Sequence, residues 1–333
     1  MKYAIVMAAG KGTRMQSTLP KVMHKVCDKP MIAHLIDNLK QSDVEEIVTI
    51  VGYGHEVIED AMAGQCTFAL QQPQLGTGHA VMQAKSLSTK KGKTLVVNGD
   101  CPCMKSATFE RMFAALDDAK MVVLGAKLED PKAYGRVVTN EDGMIEKIVE
   151  FKDCTEEQKQ INVINTGIYA FDNEVLFANL PKLTNENQQK EYYITDLVEI
   201  LCKQGYPVKA IIAEDNQEVQ GINDKKELAE ANKYMQLEIN AQWMEKGVNI
   251  IDPNNTYIGP DVTFAQNVVI YPNVFITGQT VVGADTTIMP NTYIQDAKIG
   301  NNCWVDTSRI IDTEIKDGSK IGPFQTLCKG EKK

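Results

Sequence analysis

The sequence predicts an α/β domain built on a mostly parallel, Rossmann-like sheet, followed by a short parallel β-helix. Two observations lead to this prediction. Up to about residue 224, runs rich in Val and Ile alternate with segments of helical pattern, as expected for a parallel sheet with crossover helices. After Pro253 the pattern changes, and aliphatic residues recur at every sixth position. This period is typical of a solenoid, because each short strand turns one apolar side chain inward.

The first domain contains predicted strands at residues 3–8, 47–51, 67–70, 94–98, 121–126 and 208–213. Helices are predicted at residues 31–40, 55–62, 106–119 and 195–203. Three further β-like segments, 136–139, 145–150 and 163–169, surround a turn at Glu141-Asp142-Gly143. Because they interrupt the alternation, we interpret them as an antiparallel ribbon inserted over the sheet.

Residues 225–246 contain no Gly or Pro and favour one long helix. We interpret 225–248 as a linker helix between a first domain at 1–224 and a β-helix at 249–333. The predicted inward row of the β-helix is Ile258, Phe264, Ile270, Ile276, Val282, Ile288 and Ile294, then Ile299, Val305 and Ile311, and finally Ile315, Ile321 and Leu327. A second row, Val262, Val268, Val274, Thr280, Thr286 and Thr292, has the same period. By analogy with left-handed β-helices of three rungs per turn, the repeat predicts a left-handed solenoid of about four turns. The alternative, a β-sandwich, would need period-two alternation.

Composition limits the class of protein. The chain has 333 residues, a formal charge of −9 and 43% hydrophobic residues, which favours a folded protein over a disordered one. An acidic balance argues against binding to nucleic-acid backbones. The first apolar run is too short for a membrane span or a signal peptide, so no membrane association is expected. Eight cysteines without regular spacing indicate reduced thiols and a cytoplasmic protein.

A glycine-rich segment follows the first predicted strand. It reads Ala8-Ala9-Gly10-Lys11-Gly12-Thr13-Arg14-Met15, with Lys21 downstream. Between a strand and a helix, such a loop lets backbone N–H groups approach phosphate oxygens, while the two cations add charge. A dinucleotide-binding fingerprint would need Gly in place of Met15, and Gly92-Lys93-Thr94 lacks the first Gly of a Walker motif because Leu87 stands there. The alternative interpretation of this segment is a plain tight turn that binds no phosphate.

Further blocks occur in order along the chain. They are Leu75-Gly76-Thr77-Gly78-His79-Ala80, Gly99-Asp100, Tyr134-Gly135-Arg136, Val149-Glu150-Phe151-Lys152-Asp153, Ile164-Asn165-Thr166-Gly167, Glu191-Tyr192-Tyr193-Ile194-Thr195-Asp196 and Gly221-Ile222-Asn223. Together with the glycine-rich loop and the hexapeptide tail, they resemble the sugar-1-phosphate nucleotidyltransferases, and most closely the bacterial N-acetylglucosamine-1-phosphate uridylyltransferases. The resemblance implies synthesis of UDP-N-acetylglucosamine, a cell-wall precursor, and pyrophosphate from UTP and N-acetylglucosamine 1-phosphate.

The resemblance also implies residue roles. Nucleotide binding falls on Ala8, Ala9, Gly10, Gly12, Gln71, Gly76 and Thr77, and sugar binding on Asn98, Gly135, Glu150, Asn165 and Thr195. Arg14 and Lys21 would be the catalytic cations, and Asp100 and Asn223 would hold Mg²⁺, a cation that takes few side-chain oxygens. Asn98 departs from the family, which commonly has an aromatic residue there, so another sugar 1-phosphate such as glucose 1-phosphate is an alternative substrate. A non-catalytic subunit that binds nucleotide sugars is another alternative.

Three further expectations concern assembly and the remaining motifs. The resemblance implies a homotrimer formed through the β-helix. No acetyltransferase activity is expected, because only Gln325-Thr326-Leu327-Cys328-Lys329-Gly330-Glu331-Lys332-Lys333 follows the segment Ile321-Gly322-Pro323-Phe324. Cys101-Pro102-Cys103 could hold a soft metal or form a redox pair, but the sequence has no partner Cys or His pair at ligand spacing, which favours structural thiols.

Overall fold

The computed structural model describes residues 1–140 and 144–329. The predicted turn at Glu141-Asp142-Gly143 lies outside the described residues, as do Gly330 to Lys333. The chain forms two compact units. The first unit comprises Met1–His24 and Pro30–Lys225, and the second comprises Lys25–Lys29 together with the chain from Lys226 onward. In the described part of the chain, no helix combines the length and the apolar character that a membrane span requires.

The strands that precede the repeat region are β1 (Lys2–Ala8), β2 (Lys25–Val26), β3 (Lys29–Pro30), β4 (Glu46–Val51), β5 (Thr67–Leu70), β6 (Lys93–Asn98), β7 (Met121–Lys127), β8 (Arg136–Thr139), β9 (Ile145–Val149), β10 (Val163–Asp172) and β11 (Val208–Ile212). The helices are α1 (Met31–Gln41), α2 (His55–Ala61), α3 (Thr77–Met82), α4 (Ser106–Ala115), α5 (Glu156–Lys159), α6 (Asn173–Asn179), α7 (Asp196–Lys203) and α8 (Lys225–Glu245). All six predicted strands of the first domain and all four predicted helices are present, with ends shifted by at most one residue except for α4, which ends four residues early.

The main sheet of the first unit has the strand order β11-β7-β10-β6-β1-β4-β5. Strand β1 pairs in parallel with β4 on one side and with β6 on the other. The chain therefore leaves β1 in one direction, through β4 and β5, and returns on the opposite side at β6. In open α/β sheets, ligands bind in the crevice at the carboxyl ends of the strands beside such a reversal.

The central strand β1 shows why this sequence forms a parallel sheet. Its residues alternate between two cores, because successive side chains of a strand point to opposite faces. Ala4 and Val6 pack with apolar residues of α1 and α4, whereas Tyr3 and Ile5 pack with those of α3 and α7. A strand covered by helices on both faces must be apolar throughout, which accounts for its continuous hydrophobic run.

The interpretation of residues 136–169 as a ribbon over the sheet was wrong for its last strand. Strand β10 lies inside the main sheet, antiparallel to both β6 and β7. Its register shifts between Asn165 and Ile168, where Gly167 has a φ of +77°. Residues 169–171 (Tyr169, Ala170 and Phe171) are fully buried in the sheet, and only Ile164 pairs with β8. Strands β8 and β9 form an antiparallel hairpin, as predicted.

From Asn249 onward, the described part of the second unit contains fourteen short strands that form three parallel sheets. The strands are β12 (Asn249–Ile250), β13 (Thr256–Ile258), β14 (Thr263–Phe264), β15 (Val269–Ile270), β16 (Val274–Thr277), β17 (Val281–Val282), β18 (Thr287–Ile288), β19 (Tyr293–Gln295), β20 (Lys298–Ile299), β21 (Trp304–Val305), β22 (Arg309–Ile311), β23 (Glu314–Ile315), β24 (Lys320–Ile321) and β25 (Thr326–Cys328). Every third strand pairs in parallel, so Ile258, Ile276 and Ile294 stack in register at intervals of 18 residues. The predicted fold class, an α/β domain followed by a parallel β-helix, is confirmed.

One position of the predicted inward row was wrong. Ile310, not Ile311, is fully buried, and Ile310 is the residue that pairs with Ile294 and with Leu327. The steps from Val305 to Ile310 and from Ile310 to Ile315 are therefore five residues long. A strict six-residue count cannot detect a corner that has lost one residue when two isoleucines stand side by side.

Candidate functional site

A cleft of about 340 Å³ opens in the first unit at the carboxyl ends of β1 and β6. Most of the predicted nucleotide-binding and catalytic residues line it or touch its walls. The lining residues are Met7, Ala8, Ala9, Gly10, Lys21, Val22, Gln71, Gln74, Gly76, Thr77, Ala80, Asn98, Asp100 and Glu191. The cleft therefore lies at the edge of the sheet where the strand order reverses, the position expected for a ligand site.

The glycine-rich loop leaves β1 at Ala8 and is shaped by Gly12. Gly12 has a φ of +59°, a left-handed conformation that disfavours other residues. A Cβ on Gly12 would also lie 2.6 Å from Lys21 Cβ, so glycine is required for close approach as well. A short 3-10 turn, Thr13–Met15, follows, and its buried Met15 anchors the loop in the core. By contrast, a Cβ on Gly10 would meet no atom within 4 Å.

Lys21, Asp100 and Asn223 come together at one wall of the cleft. The Lys21 ammonium forms an ion pair with Asp100 and donates a hydrogen bond of 3.1 Å to Asn223 Oδ1. The side chains of Lys21 and Asp100 are 17% and 16% exposed, so the pair is largely shielded from water. The Asp100 carbonyl accepts a hydrogen bond from Ile222 N–H at 3.0 Å, which ties the segment before Asn223 to the end of β6.

This cluster fits a hard divalent cation. Two oxygen donors, one carboxylate and one amide, converge on a single ammonium group, so a positive charge already occupies the point that both oxygens face. Mg²⁺ is commonly held by one or two such oxygens together with phosphate and water. In residues 1–140 and 144–329, no group of three or more His, Cys, Asp or Glu side chains is arranged to hold a metal ion.

The opposite wall of the cleft is formed by the segment that precedes and begins α3. Gln71 is buried, and its Nε2 donates to the Gly76 carbonyl at 2.9 Å. Gly76 has a φ of +104°, and a Cβ there would lie 2.7 Å from the Tyr192 carbonyl oxygen. The Thr77 hydroxyl accepts a hydrogen bond of 3.1 Å from Ile194 N–H. The Gly76-Thr77 segment is therefore held against residues 192–194 in a conformation that requires glycine.

The four other predicted sugar-binding residues, Gly135, Glu150, Asn165 and Thr195, form a second cluster. Asn165 N–H donates to the Gly135 carbonyl at 2.9 Å, and the Thr195 hydroxyl donates to the Glu150 carboxylate. Burial raises the pKa of Glu150, and the charges of Asp153 and Asp196 raise it further. The Glu150 carboxyl group therefore lies close beside Gly135, where a Cβ would be 3.5 Å from Glu150 Oε2.

Asn98 links this second cluster to the cleft. Its Nδ2 donates to the Thr166 carbonyl at 3.5 Å, and a Cβ on the neighbouring Gly167 would lie 2.6 Å from Asn98 Nδ2. Asn98 therefore lines the cleft with its amide turned toward β10.

Two predicted residue groups lie apart from these clusters. Arg14 is exposed and has no hydrogen-bond or ion-pair partner within the described ranges 1–140 and 144–329. Cys101 and Cys103 are buried, and burial raises the pKa of the Cys101 thiol well above its ordinary value. A buried thiol with a raised pKa is a poor nucleophile and ligand, which supports the structural reading.

Sequence reasoning missed Gln74 and Glu191, which both line the cleft. Gln74 Nε2 donates a hydrogen bond to the Ala9 carbonyl and so connects the glycine-rich loop to the segment before α3. Gln74 could have been suspected because it lies between Gln71 and Gly76 in the sequence, and Glu191 because it begins one of the motif blocks. Neither pattern indicates that these two side chains line the cleft.

A family model described as "Nucleotidyl transferase" matches residues 3–307 of the chain. The chain is also similar to curated proteins named "Bifunctional protein GlmU". The protein of Halalkalibacterium halodurans is 44% identical over 329 residues, which cover 98% of this chain and 72% of that protein. The protein of Geobacillus thermodenitrificans is 46% identical over 326 residues, covering 97% and 71%, and that of Listeria innocua is 44% identical over 329 residues, covering 98% and 72%.

Proposed function

The chain belongs to the nucleotidyl transferase family, and from that premise we propose that it joins UTP and N-acetylglucosamine 1-phosphate into UDP-N-acetylglucosamine, releasing pyrophosphate. The observation that carries this proposal is the cluster of Lys21, Asp100 and Asn223 at the cleft. A protein that only bound nucleotide sugars would have no need of a paired carboxylate and amide around a cation position. The cluster therefore favours catalysis over the alternative of a non-catalytic binding subunit.

The proposed reaction is a phosphoryl-type transfer at the α-phosphorus of UTP. A phosphate oxygen of the sugar phosphate forms a bond to this phosphorus, and the bond from phosphorus to the oxygen that bridges to the β-phosphate breaks. Pyrophosphate leaves with the bonding electrons. The attacking oxygen is already anionic, so no general base is required, and catalysis rests on positioning and charge stabilisation.

The cations of the cleft would stabilise the charge that develops. Lys21, whose ammonium group contacts both Asp100 and Asn223, would neutralise the transferring phosphoryl group. Arg14, exposed at the glycine-rich loop, would reach the pyrophosphate. Asp100 and Asn223 would hold Mg²⁺, which supplies charge neutralisation of the phosphate oxygens when bound. Gly10 and Gly12 would let backbone N–H groups approach the same phosphates.

The second cluster would bind the sugar. Glu150 is an acceptor for a hexose hydroxyl, and Asn165 and Thr195 offer further polar atoms nearby. N-acetylglucosamine 1-phosphate is proposed as the sugar substrate because the motif blocks resemble those of the N-acetylglucosamine-1-phosphate uridylyltransferases. Asn98 is the observation that favours a different sugar 1-phosphate, because a polar amide replaces an aromatic wall.

The experiment is a coupled pyrophosphate-release assay with UTP and a panel of sugar 1-phosphates. We expect N-acetylglucosamine 1-phosphate to give the highest kcat/KM. A preference for glucose 1-phosphate would change the proposed sugar substrate but leave the proposed reaction class unchanged. Absence of pyrophosphate release with every sugar 1-phosphate in folded protein would contradict the proposed function. The companion prediction of no acetyltransferase activity is tested by free CoA release from acetyl-CoA and glucosamine 1-phosphate.

We also propose that the β-helix mediates assembly into a homotrimer. Tyr257 and Phe275 lie on its outer surface, 40% and 42% exposed, with their rings stacked at a centroid distance of 4.4 Å. Trp304 is 43% exposed on another sheet. Exposed aromatic groups of this kind are typical of surfaces that are covered by a partner. Light scattering at micromolar concentration should give three times the 36.9 kDa chain mass, and a monomer would contradict the proposal.

A further inference from the structure

The amide of Gln71 is held by two internal contacts. Its Nε2 lies 2.9 Å from the Gly76 carbonyl oxygen and 3.2 Å from His79 Nδ1. Gln71 is only 5% exposed and lines the cleft, whereas His79 does not. The other polar atom of the amide, Oε1, makes no hydrogen bond to any residue in the described part of the chain.

These contacts fix which end of the amide faces the ligand. A carbonyl oxygen can only accept a hydrogen bond, so the Gly76 carbonyl requires the nitrogen end of the Gln71 amide. The second N–H of the same nitrogen is then directed at His79 Nδ1. Both donors of Gln71 are therefore used within the protein, and the acceptor Oε1 remains for the cleft.

The surroundings of His79 determine its tautomer. His79 Nε2 lies 3.3 Å from Gln83 Nε2, and that amide also donates to the His79 carbonyl at 2.9 Å. A neutral imidazole accepts at only one ring nitrogen. Gln83 is partly exposed and its free N–H can turn to water, whereas the N–H of buried Gln71 cannot. Nδ1 is therefore the acceptor and Nε2 carries the proton.

We propose that His79 is a positioning residue that sets the choice of pyrimidine, by holding Gln71 with its oxygen toward the base. The ring N3 of uracil carries a hydrogen that Oε1 can accept. The ring N3 of cytosine is itself an acceptor, so two acceptors would face each other without a hydrogen between them. Loss of the His79 contact frees one N–H of Gln71 and weakens this discrimination. The inference rests on the proposed use of a uridine nucleotide.

The test compares His79→Leu, His79→Asn and Gln83→Ala with the unmodified protein. Leucine removes the acceptor, whereas asparagine can place Oδ1 where Nδ1 lies. Gln83→Ala is the matched control, since it removes the contact at the other ring nitrogen and the hydrogen bond to the His79 carbonyl but leaves His79 Nδ1 in place. Dissociation constants for UTP and CTP are measured by titration calorimetry, and kcat/KM is measured for both nucleotides.

We expect the ratio of the CTP to the UTP dissociation constant to fall about tenfold in His79→Leu, because a buried donor loses its partner. His79→Asn and Gln83→Ala should keep the ratio within about threefold. If the role of His79 were purely structural, its loss would weaken the binding of UTP and CTP equally and leave the ratio of their dissociation constants unchanged. If His79→Leu does not fold, His79→Ala removes the same acceptor and is measured instead.

An unchanged ratio in folded His79→Leu or His79→Ala would overturn the inference, as would equal binding of UTP and CTP by the unmodified protein. Neither result would affect the proposed transfer reaction. Conversely, a protein that binds UTP selectively but releases no pyrophosphate would contradict the proposed function and leave the role of His79 intact.

Discussion

Replacement of Asp100 is the most direct test of the proposed catalytic centre. Asp100→Asn keeps the size of the side chain and one carbonyl oxygen but removes the charge, whereas Asp100→Ala removes both oxygens. The carboxylate is 16% exposed and receives the Lys21 ammonium, so its interactions are poorly screened by water. Asp100 is also the charged member of the two oxygen donors proposed for Mg²⁺, and only the neutral amide of Asn223 would remain.

The size of the effect follows from these contacts. A hydrogen bond to a charged group is worth about 1.5–3 kcal/mol, and a bound metal ion would contribute several kcal/mol to stabilisation of the transition state. Loss of about 3–4 kcal/mol in transition-state stabilisation corresponds to a decrease in kcat/KM of roughly a hundredfold to a thousandfold. Asp100→Asn should retain more activity than Asp100→Ala and should require a higher Mg²⁺ concentration for half-maximal rate.

Pyrophosphate release is measured at several Mg²⁺ concentrations, and folding is monitored by circular dichroism. Asp117→Asn is the matched control, because Asp117 also pairs with a lysine but its side chain is 73% exposed. We expect the control to retain full activity. A folded Asp100→Ala protein within about threefold of the unmodified rate would refute the reasoning.

Three further predictions concern stability. Gly12→Ala should lower Tm by several degrees because of its φ of +59° and the contact with Lys21, whereas Gly10→Ala, where a Cβ meets no atom within 4 Å, should not. Burial, with Glu199 and Asp153 nearby, raises the pKa of Asp196 from 3.8 to about 6. Its contribution to the free energy of unfolding is thus complete below pH 4 and is lost as the pH rises through 6. Denaturant titrations should therefore show Asp196→Asn to be about 1 kcal/mol more stable than the unmodified protein at pH 8 and equally stable near pH 4. Ile276→Ala should cost about 3 kcal/mol in the β-helix, since Ile276 is fully buried, while Val281→Ala, 46% exposed, should cost under about 1 kcal/mol; equal losses would contradict the stacking argument.

Local pattern predicted most of the fold, because the strands of the first unit are buried runs and the β-helix repeats at a fixed period. Local pattern gave wrong predictions where tertiary pairing determines the position of a strand or the direction of a side chain. Strand β10 has the same Val- and Ile-rich start as the neighbouring hairpin, and only its pairing with β6 and β7 places it inside the sheet. Ile310 and Ile311 are equivalent by composition, and the neighbouring coils determine which of them turns inward.

The candidate site was likewise predictable from the sequence only in part. The position of Asp100 at the end of a predicted strand beside the glycine-rich loop follows from the parallel sheet alone. The approach of Asn223, which is 123 residues further along the chain, does not, and its inclusion depended on the family resemblance. Gln74 was not predicted because its role is to hold the Ala9 carbonyl, a contact that no sequence spacing encodes.

The stacking of the β-helix at intervals of 16 to 18 residues has a consequence for how such a chain can change in length. A coil such as 258–275 is held by the coils before and after it, through pairs such as Ile250 with Ile270 and Ile258 with Ile276. Removing or duplicating a whole coil would return every remaining inward side chain to the same face, whereas a change of one residue within a strand would turn its apolar side chain toward water. The β-helix can therefore change in length by whole coils, whereas a change of one residue is accommodated only at a corner, as in the five-residue step from Val305 to Ile310.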